Sequence, residues 1–124
     1  MSLVLIVEDN EMNRKLARDV LQAKGYATIE AMTGEEGLKL VAERKPDLVL
    51  MDIQLPGISG IEALKRLRAD AKTKAIPVVA ITASVTPTDR KQITEAGFDA
   101  FVGKPINLKE FLDTVKRLLA RGGK

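Results

Sequence analysis

Leu48-Val49-Leu50-Met51 is a continuous apolar run closed by the carboxylate of Asp52 and followed by Ile53-Gln54-Leu55-Pro56. A short unbroken run of this kind is what a strand buried on both faces of a parallel sheet requires. Working outward, four more short runs recur at near-regular spacing: Leu3-Val4-Leu5-Ile6-Val7, Ala27-Thr28-Ile29-Glu30-Ala31, Val78-Val79-Ala80-Ile81 and Ala100-Phe101-Val102. Several are rich in Val and Ile, which favours strand over helix. The second alternates with Thr28 and Glu30, as an edge strand does.

Helical periodicity fills the gaps between these runs. Met12, Leu16, Val20 and Leu21 form one apolar stripe, Leu38, Val41 and Ala42 a second, and Ile61, Leu64 and Leu67 a third. Leu108, Phe111, Leu112, Val115, Leu118 and Leu119 form the clearest, at intervals of three and four. The segment after Pro87 is the weakest, with Ile93 and Ala96 as its core candidates. Thr33 with Glu36, Ser59 with Glu62 and Asn107 with Glu110 have capping-box spacing, and Thr86-Pro87 places a cap before a first-turn proline. Gly25, Gly97 and Gly122 follow the predicted helices as stops. Strand–helix alternation repeated five times predicts an α/β fold: one doubly wound parallel sheet with helices on both faces.

Composition narrows the chemistry. The chain has 124 residues, no Cys and no His. Thiol nucleophiles, thiolate metal sites, imidazole bases and a phosphohistidine carried on this chain are therefore excluded. The 20 Lys and Arg are interleaved with 17 acids, and aromatics are 3%. A basic stripe with stacking aromatics, which single-strand nucleic-acid binders need, is missing. No apolar run approaches the roughly 18 residues of a membrane helix, and the start has no signal-peptide pattern, so a cytoplasmic location is expected. Arg14, Lys15 and Arg18 on the first helix offer either a contact for an acidic partner or a solvated face.

In such folds ligands sit at the carboxyl ends of the strands, at the topological switch point. Those ends here are mostly acidic: Glu8-Asp9-Asn10 after the first strand and Asp52 after the third, with Thr82 after the fourth and Lys104 after the fifth. Any one of these has a bland reading as a turn, strand or surface residue. Together, three carboxylates at one rim repel, Lys104 offsets one charge, and the remainder calls for a hard divalent cation held by oxygens.

These residues resemble the response regulator receiver domain of the CheY-like superfamily. The matching motifs are Glu8-Asp9, Met51-Asp52-Ile53-Gln54-Leu55-Pro56 with Gly60, Thr82-Ala83 and Lys104-Pro105, in order along residues 3–119. Val7-Glu8-Asp9-Asn10 and the Met51–Pro56 string are most similar to stand-alone cell-cycle regulators of the DivK type. The resemblance implies a single (βα)5 flavodoxin-like domain over residues 1–124, with strand order 2-1-3-4-5 and no output domain. It implies Asp52 as phosphoacceptor, and Mg2+ (with Mn2+ able to substitute) held by Asp9, Asp52 and the Gln54 backbone carbonyl. Glu8 would contact the metal through water. Thr82 and Lys104 would bind phosphoryl oxygens, Lys104-Pro105 would be a cis peptide, and Phe101 would be the aromatic switch. Gln54 and Ser84 would modulate hydrolysis.

The function implied is two-component signalling. A sensor histidine kinase or histidine phosphotransfer protein would donate a phosphoryl group, and the face made by the fourth helix, fifth strand and fifth helix would then switch contact with a downstream protein target. Neither nucleic acid nor membrane is a partner. The chain would not be an enzyme beyond its own phosphotransfer and slow autodephosphorylation. An aspartyl phosphatase of the haloacid dehalogenase type needs a second Asp where Gln54 stands. A Walker string is absent, and Glu8-Asp9-Asn10-Glu11 would repel the phosphate that a flavodoxin cradles there. A receiver that binds partners without regulated phosphorylation is the remaining alternative.

Overall fold

The computed structural model describes residues 2–83, 87–104 and 106–122. Five strands alternate with five helices: β1 (Leu3–Val7), α1 (Glu11–Ala23), β2 (Ala27–Ala31), α2 (Gly34–Arg44), β3 (Leu48–Asp52), α3 (Gly60–Ala69), β4 (Val78–Thr82), α4 (Pro87–Ala96), β5 (Ala100–Gly103) and α5 (Leu108–Gly122). The strands form one parallel sheet in the order β2-β1-β3-β4-β5, with β2 at an edge as its alternating pattern predicts.

The unbroken apolar runs have a simple cause. Successive strand side chains point to opposite faces, and both faces are covered. Leu5, Val7, Val49, Met51, Val78 and Ala80 pack with Val41 of α2, Leu64 of α3 and Ile93 of α4. Val4, Ile6, Leu48, Leu50, Val79 and Ile81 pack on the other side with Leu21 of α1 and Phe111, Val115 and Leu118 of α5. The α1 stripe departs from the sequence reading. Ala17 and Leu21 face the sheet, whereas Met12 is 81% exposed and Leu16 39%. A small residue at 17 lets the helix approach the strands, which rotates Met12 off the core. Ala42 and Leu108 are likewise exposed.

The helix starts follow the capping signals. Thr33 accepts from the Glu36 amide at 3.1 Å, Ser59 from Glu62 at 3.2 Å and Asn107 from Glu110 at 3.1 Å. The return half of the first box is displaced: Glu36 Oε1 accepts from the Met32 amide at 2.8 Å. Glu62 instead bonds Arg66 at 3.2 Å. Asn10 caps α1 by accepting from the Asn13 amide. Gly25 and Gly97 take positive φ after α1 and α4, Lys45 does so after α2, and Gly122 is the last residue of α5 rather than a stop beyond it. The Thr86 cap, the Lys104-Pro105 peptide and Ser84 lie outside the described residues.

Close approach of α3 to the end of β3 depends on Gly60. A Cβ on Gly60 would collide with the Asp52 carbonyl oxygen and lie 2.9 Å from the Ile53 Cα, both backbone atoms that cannot swing aside. The Gly60 amide donates to the Ile53 carbonyl at 2.9 Å, so moving the helix also breaks this bond. At the opposite end of the sheet Arg68 ties three segments, donating to the carbonyls of Lys74, Ile76 and Gly97 and to Asp99. Gly60→Ala is expected to destabilise the fold by about 2–3 kcal/mol, the upper range for overpacking, and to shift the amide resonances of Asp52 to Gln54. Urea unfolding and a heteronuclear NMR spectrum check this, and unchanged stability would remove the steric role given to Gly60.

Candidate functional site

The register carries the predicted acids to one rim. Val7 lies opposite Met51, Asp52 opposite Ile81 and Thr82 opposite Gly103, so the residues leaving β1, β3, β4 and β5 emerge side by side. Glu8 and Asp52 are each 2% exposed and Thr82 is buried, while Asp9 and Gln54 are open to solvent. A carboxylate oxygen from each of Glu8, Asp9 and Asp52 falls within 4.8 Å of the others. The sequence reading of three converging carboxylates is thus realised in space.

Lys104 closes the cluster. Its ammonium donates to Asp52 Oδ2 at 2.8 Å and lies 3.2 Å from Glu8 Oε1 and 3.5 Å from Glu8 Oε2. The Lys104 amide donates to the Thr82 carbonyl at 2.8 Å, which anchors the lysine beside the end of β4. Backbone amides satisfy other oxygens: Gln54 N–H donates to Asp52 Oδ1 at 3.0 Å and Asn10 N–H to Glu8 Oε2 at 3.1 Å. Glu8 Oε1 is ion-paired with the ammonium but accepts no hydrogen bond. Among the described residues it is the buried side-chain oxygen without a hydrogen-bond partner.

The loop after Asp52 is held from a neighbouring helix, which the sequence did not disclose. Glu35, in the first turn of α2, accepts from the Ile58 amide at 3.4 Å. Gly57 has φ +77, and a Cβ there would meet the Glu35 carboxylate at 2.8 Å. A long-range side chain against a loop amide leaves no periodic trace. Phe101 is half-buried on β5, and Arg90 of α4 sits over its ring, 5.3 Å from the centroid. The ring is thus held by a cation as well as by packing. Arg14 and Arg18, open in the sequence to an acidic partner, converge instead on Glu30 of this chain.

The charges set the proton affinities. Burial, then a hydrogen bond with Asp52, pushes the Glu8 carboxyl up to about 7, although the Asn10 amide and Lys104 oppose this. Burial pulls the Lys104 ammonium down, but its bond and charge interactions with Asp52 and Glu8 raise it overall. Two buried carboxylates against one ammonium leave surplus negative charge. Hard oxygen donors, an unsatisfied Glu8 Oε1 and an open approach past Asp9 suit a divalent cation such as magnesium.

A carboxyl with a raised folded pKa stabilises the fold while protonated and loses that contribution on ionisation. In EDTA, stability is therefore expected to fall as pH rises from about 4.5 to about 7 and then level off. Glu8→Gln should flatten this segment of the profile. Urea unfolding at a series of pH values checks it, and an unchanged slope in the variant would acquit Glu8.

The chain matches the response regulator receiver domain over residues 4–116. It is 47% identical over 116 residues to the polar-differentiation response regulator DivK of Brucella anthropi, covering 94% of each chain. Its fold is similar to that of the chemotaxis protein CheY4 of Vibrio cholerae, with a TM-score of 0.89, 27% identity and coverage of 95% of this chain and 98% of that one. The receiver domain of a sensor histidine kinase from Pseudomonas aeruginosa PAO1, solved with magnesium coordinated in its active-site cleft, superimposes with a TM-score of 0.89, 27% identity and coverage of 96% and 98%. With a family match from Val4 to Lys116 and a full-length relative sharing nearly half its residues, this chain belongs to the response regulator receiver domain family of two-component signalling and is DivK-like.

Proposed function

We propose that the chain accepts a phosphoryl group from a partner phosphohistidine onto Asp52 and passes the event to a protein target through α4, β5 and α5. The observation that supports this best is the Lys104 ammonium 2.8 Å from a buried Asp52 at the centre of a three-carboxylate rim. An Asp52 oxygen attacks phosphorus as the bond from phosphorus to the imidazole nitrogen of the partner breaks; the electron pair stays on that nitrogen, which takes a proton from solvent, leaving an acyl phosphate and a neutral imidazole. Asp52 is paired with Lys104 and is nucleophilic when ionised, so this chain needs no general base.

Lys104 can follow the transferred group, since its ammonium already lies where negative charge accumulates. Thr82, buried at the end of β4, supplies a hydroxyl for a phosphoryl oxygen. The Gln54 amide orients Asp52 through its 3.0 Å bond. Asp9, Asp52 and the Gln54 carbonyl would hold Mg2+, or Mn2+ in its place, with Glu8 acting through water. The cation when bound supplies charge neutralisation for the phosphoryl oxygens. The chain turns over no separate substrate; it catalyses its own phosphorylation and slow dephosphorylation. The histidine-kinase setting of the Pseudomonas relative supports a kinase or phosphotransfer donor. No helix among the described residues is long and apolar enough to cross a membrane.

The output argument starts from Phe101. Phosphorylation adds charge and acceptor oxygens beside Thr82, and a Thr82 side chain drawn toward them leaves room behind it for Phe101 to turn inward. That movement forfeits the Arg90 contact, worth about 0.5–1 kcal/mol at an exposed site. Burial of the ring favours it by at most roughly 1.5–3 kcal/mol. The difference biases a population without making it all-or-none. With Ile93 as its deeply buried anchor, α4 is a suitable moving element.

Incubation with Mg2+ and a small phosphodonor, read by intact mass, is expected to add one phosphoryl group to the wild type and none to Asp52→Asn. Stoichiometric uptake by Asp52→Asn would assign the acceptor elsewhere. Asp9→Ala should weaken Mg2+ binding more than Glu8→Gln does, and equal losses in calorimetry would erase the distinction between direct and water-bridged ligands. With Mg2+ and fluoroberyllate, amide resonances should move in residues 87–101 and in α5, and should move less in Phe101→Ala. Changes confined to the loops around Asp52 would defeat the output proposal.

A further inference from the structure

Arg14 lies on α1 with its side chain 14% exposed. Two sides of its guanidinium are engaged. Nε donates to Glu30 Oε1 at 3.0 Å, and Nη1 donates to the backbone carbonyl of Glu8 at 2.9 Å. Glu30 stands on β2 opposite Ile6, and its second oxygen is 3.5 Å from Arg18 Nη1. One strand carboxylate thus takes two helix arginines and sets the plane of the first.

Glu8 is the first residue past the end of β1. Its amide donates to the Ala31 carbonyl of β2 at 3.0 Å, and its carbonyl accepts from Arg14, so the backbone is held on both sides of its Cα. The Glu8 carbonyl and the Asp9 amide belong to one planar peptide. Fixing the oxygen therefore fixes the plane from which Asp9 departs. Asp9 is exposed, unlike the buried Glu8 and Asp52, so packing does little to hold its direction. Repulsion among the three acids would favour splaying this segment outward, and a charge-assisted bond to a half-buried carbonyl resists that.

We propose that Arg14 is a positioning residue for the metal site: through the Glu8 carbonyl it holds the Glu8–Asp9 peptide in the orientation that keeps Asp9 beside Asp52, and Glu30 orients Arg14 for that task. This rests on the reading of the acidic rim as the magnesium site. The fork of an arginine is needed, because it addresses a carboxylate and a carbonyl in different directions at once, whereas a lysine offers a single point charge. The hydrogen bonds of Arg14 run to Glu30 and to the Glu8 backbone carbonyl, not to the carboxylate oxygens of Glu8, Asp9 or Asp52. Its effect appears in how well the ligands are preset, a role whose loss costs about tenfold or more in metal affinity in comparable sites.

The experiment is a magnesium titration of the full chain by calorimetry, with amide NMR spectra of the metal-free protein and a thermal melt of each variant. Arg14→Gln is expected to weaken Mg2+ binding about tenfold and to shift the Asp9 and Asn10 amides before metal is added. Glu30→Gln keeps Arg14 and should show a smaller loss of the same sign. At saturating Mg2+, phosphorylation of Arg14→Gln by a small phosphodonor should recover the wild-type rate, with only the magnesium requirement raised. A folded Arg14→Gln protein with wild-type Mg2+ affinity overturns the inference whatever its melting temperature, as does a rate deficit that saturating Mg2+ does not repair. Should Arg14→Gln fail to fold, wild-type affinity in Glu30→Gln overturns it instead. Failure of the wild type itself to bind Mg2+ would overturn the metal-site reading, which is a separate result.

Discussion

Lys104 reaches from the end of β5 to the carboxylates of Glu8 and Asp52, two acids almost wholly withdrawn from water. Burying an unpaired carboxylate is costly, and one ammonium cannot fully neutralise two. The rim is arranged around that shortfall. Amides of Asn10 and Gln54 turn back onto the acids, Glu8 takes a proton more readily than an ordinary carboxyl, and one Glu8 oxygen is left unsatisfied. A site in this condition suits the entry of a hard cation.

The fold beneath makes the juxtaposition affordable. Four of the site residues end or directly follow strands whose side chains fill two apolar layers, so they are mounted on the packed core. Parallel pairing places every strand's carboxyl end at one edge, and the order β2-β1-β3-β4-β5 puts β1 and β3 next to one another there. Helix-borne residues then trim the loops. Glu35 steadies the turn after Asp52, Arg14 grips the carbonyl of Glu8, and the bare Cα of Gly60 lets α3 begin directly against the end of β3.

The same arrangement connects the site to a surface. Lys104 is backbone-bonded to Thr82, and Phe101 lies three residues before Lys104 on β5 with Arg90 of α4 over its ring. Charge at the rim and packing at the fourth helix therefore share one short piece of chain. Phe101 carries no hydroxyl, and the cation over its ring is a weak contact with little directional preference.

Much of this was legible in the linear sequence. Unbroken apolar runs such as Leu48–Met51 encode double-sided burial, because a strand covered on both faces has no polar positions to spare. Acids placed directly after such runs foretell a shared rim, since parallel strands must present the same end together. Thr33, Ser59 and Asn107 announce helix starts through a bond spanning three residues, a distance the sequence can display. The face of α1 is not legible in this way, because Met12 and Leu16 are apolar without being inward, and only packing shows that Ala17 is the residue the sheet admits. Tertiary structure alone decided the pairing of Arg14 and Arg18 with Glu30, the hold of Glu35 on the Ile58 amide and the seat of Arg90 over Phe101. Each joins residues from different elements through a few polar atoms, so its geometry exists only once the helices have docked. Residue identity and short-range period determine which elements form and which acids meet; the orientation of the groups that hold those acids comes from the packing itself.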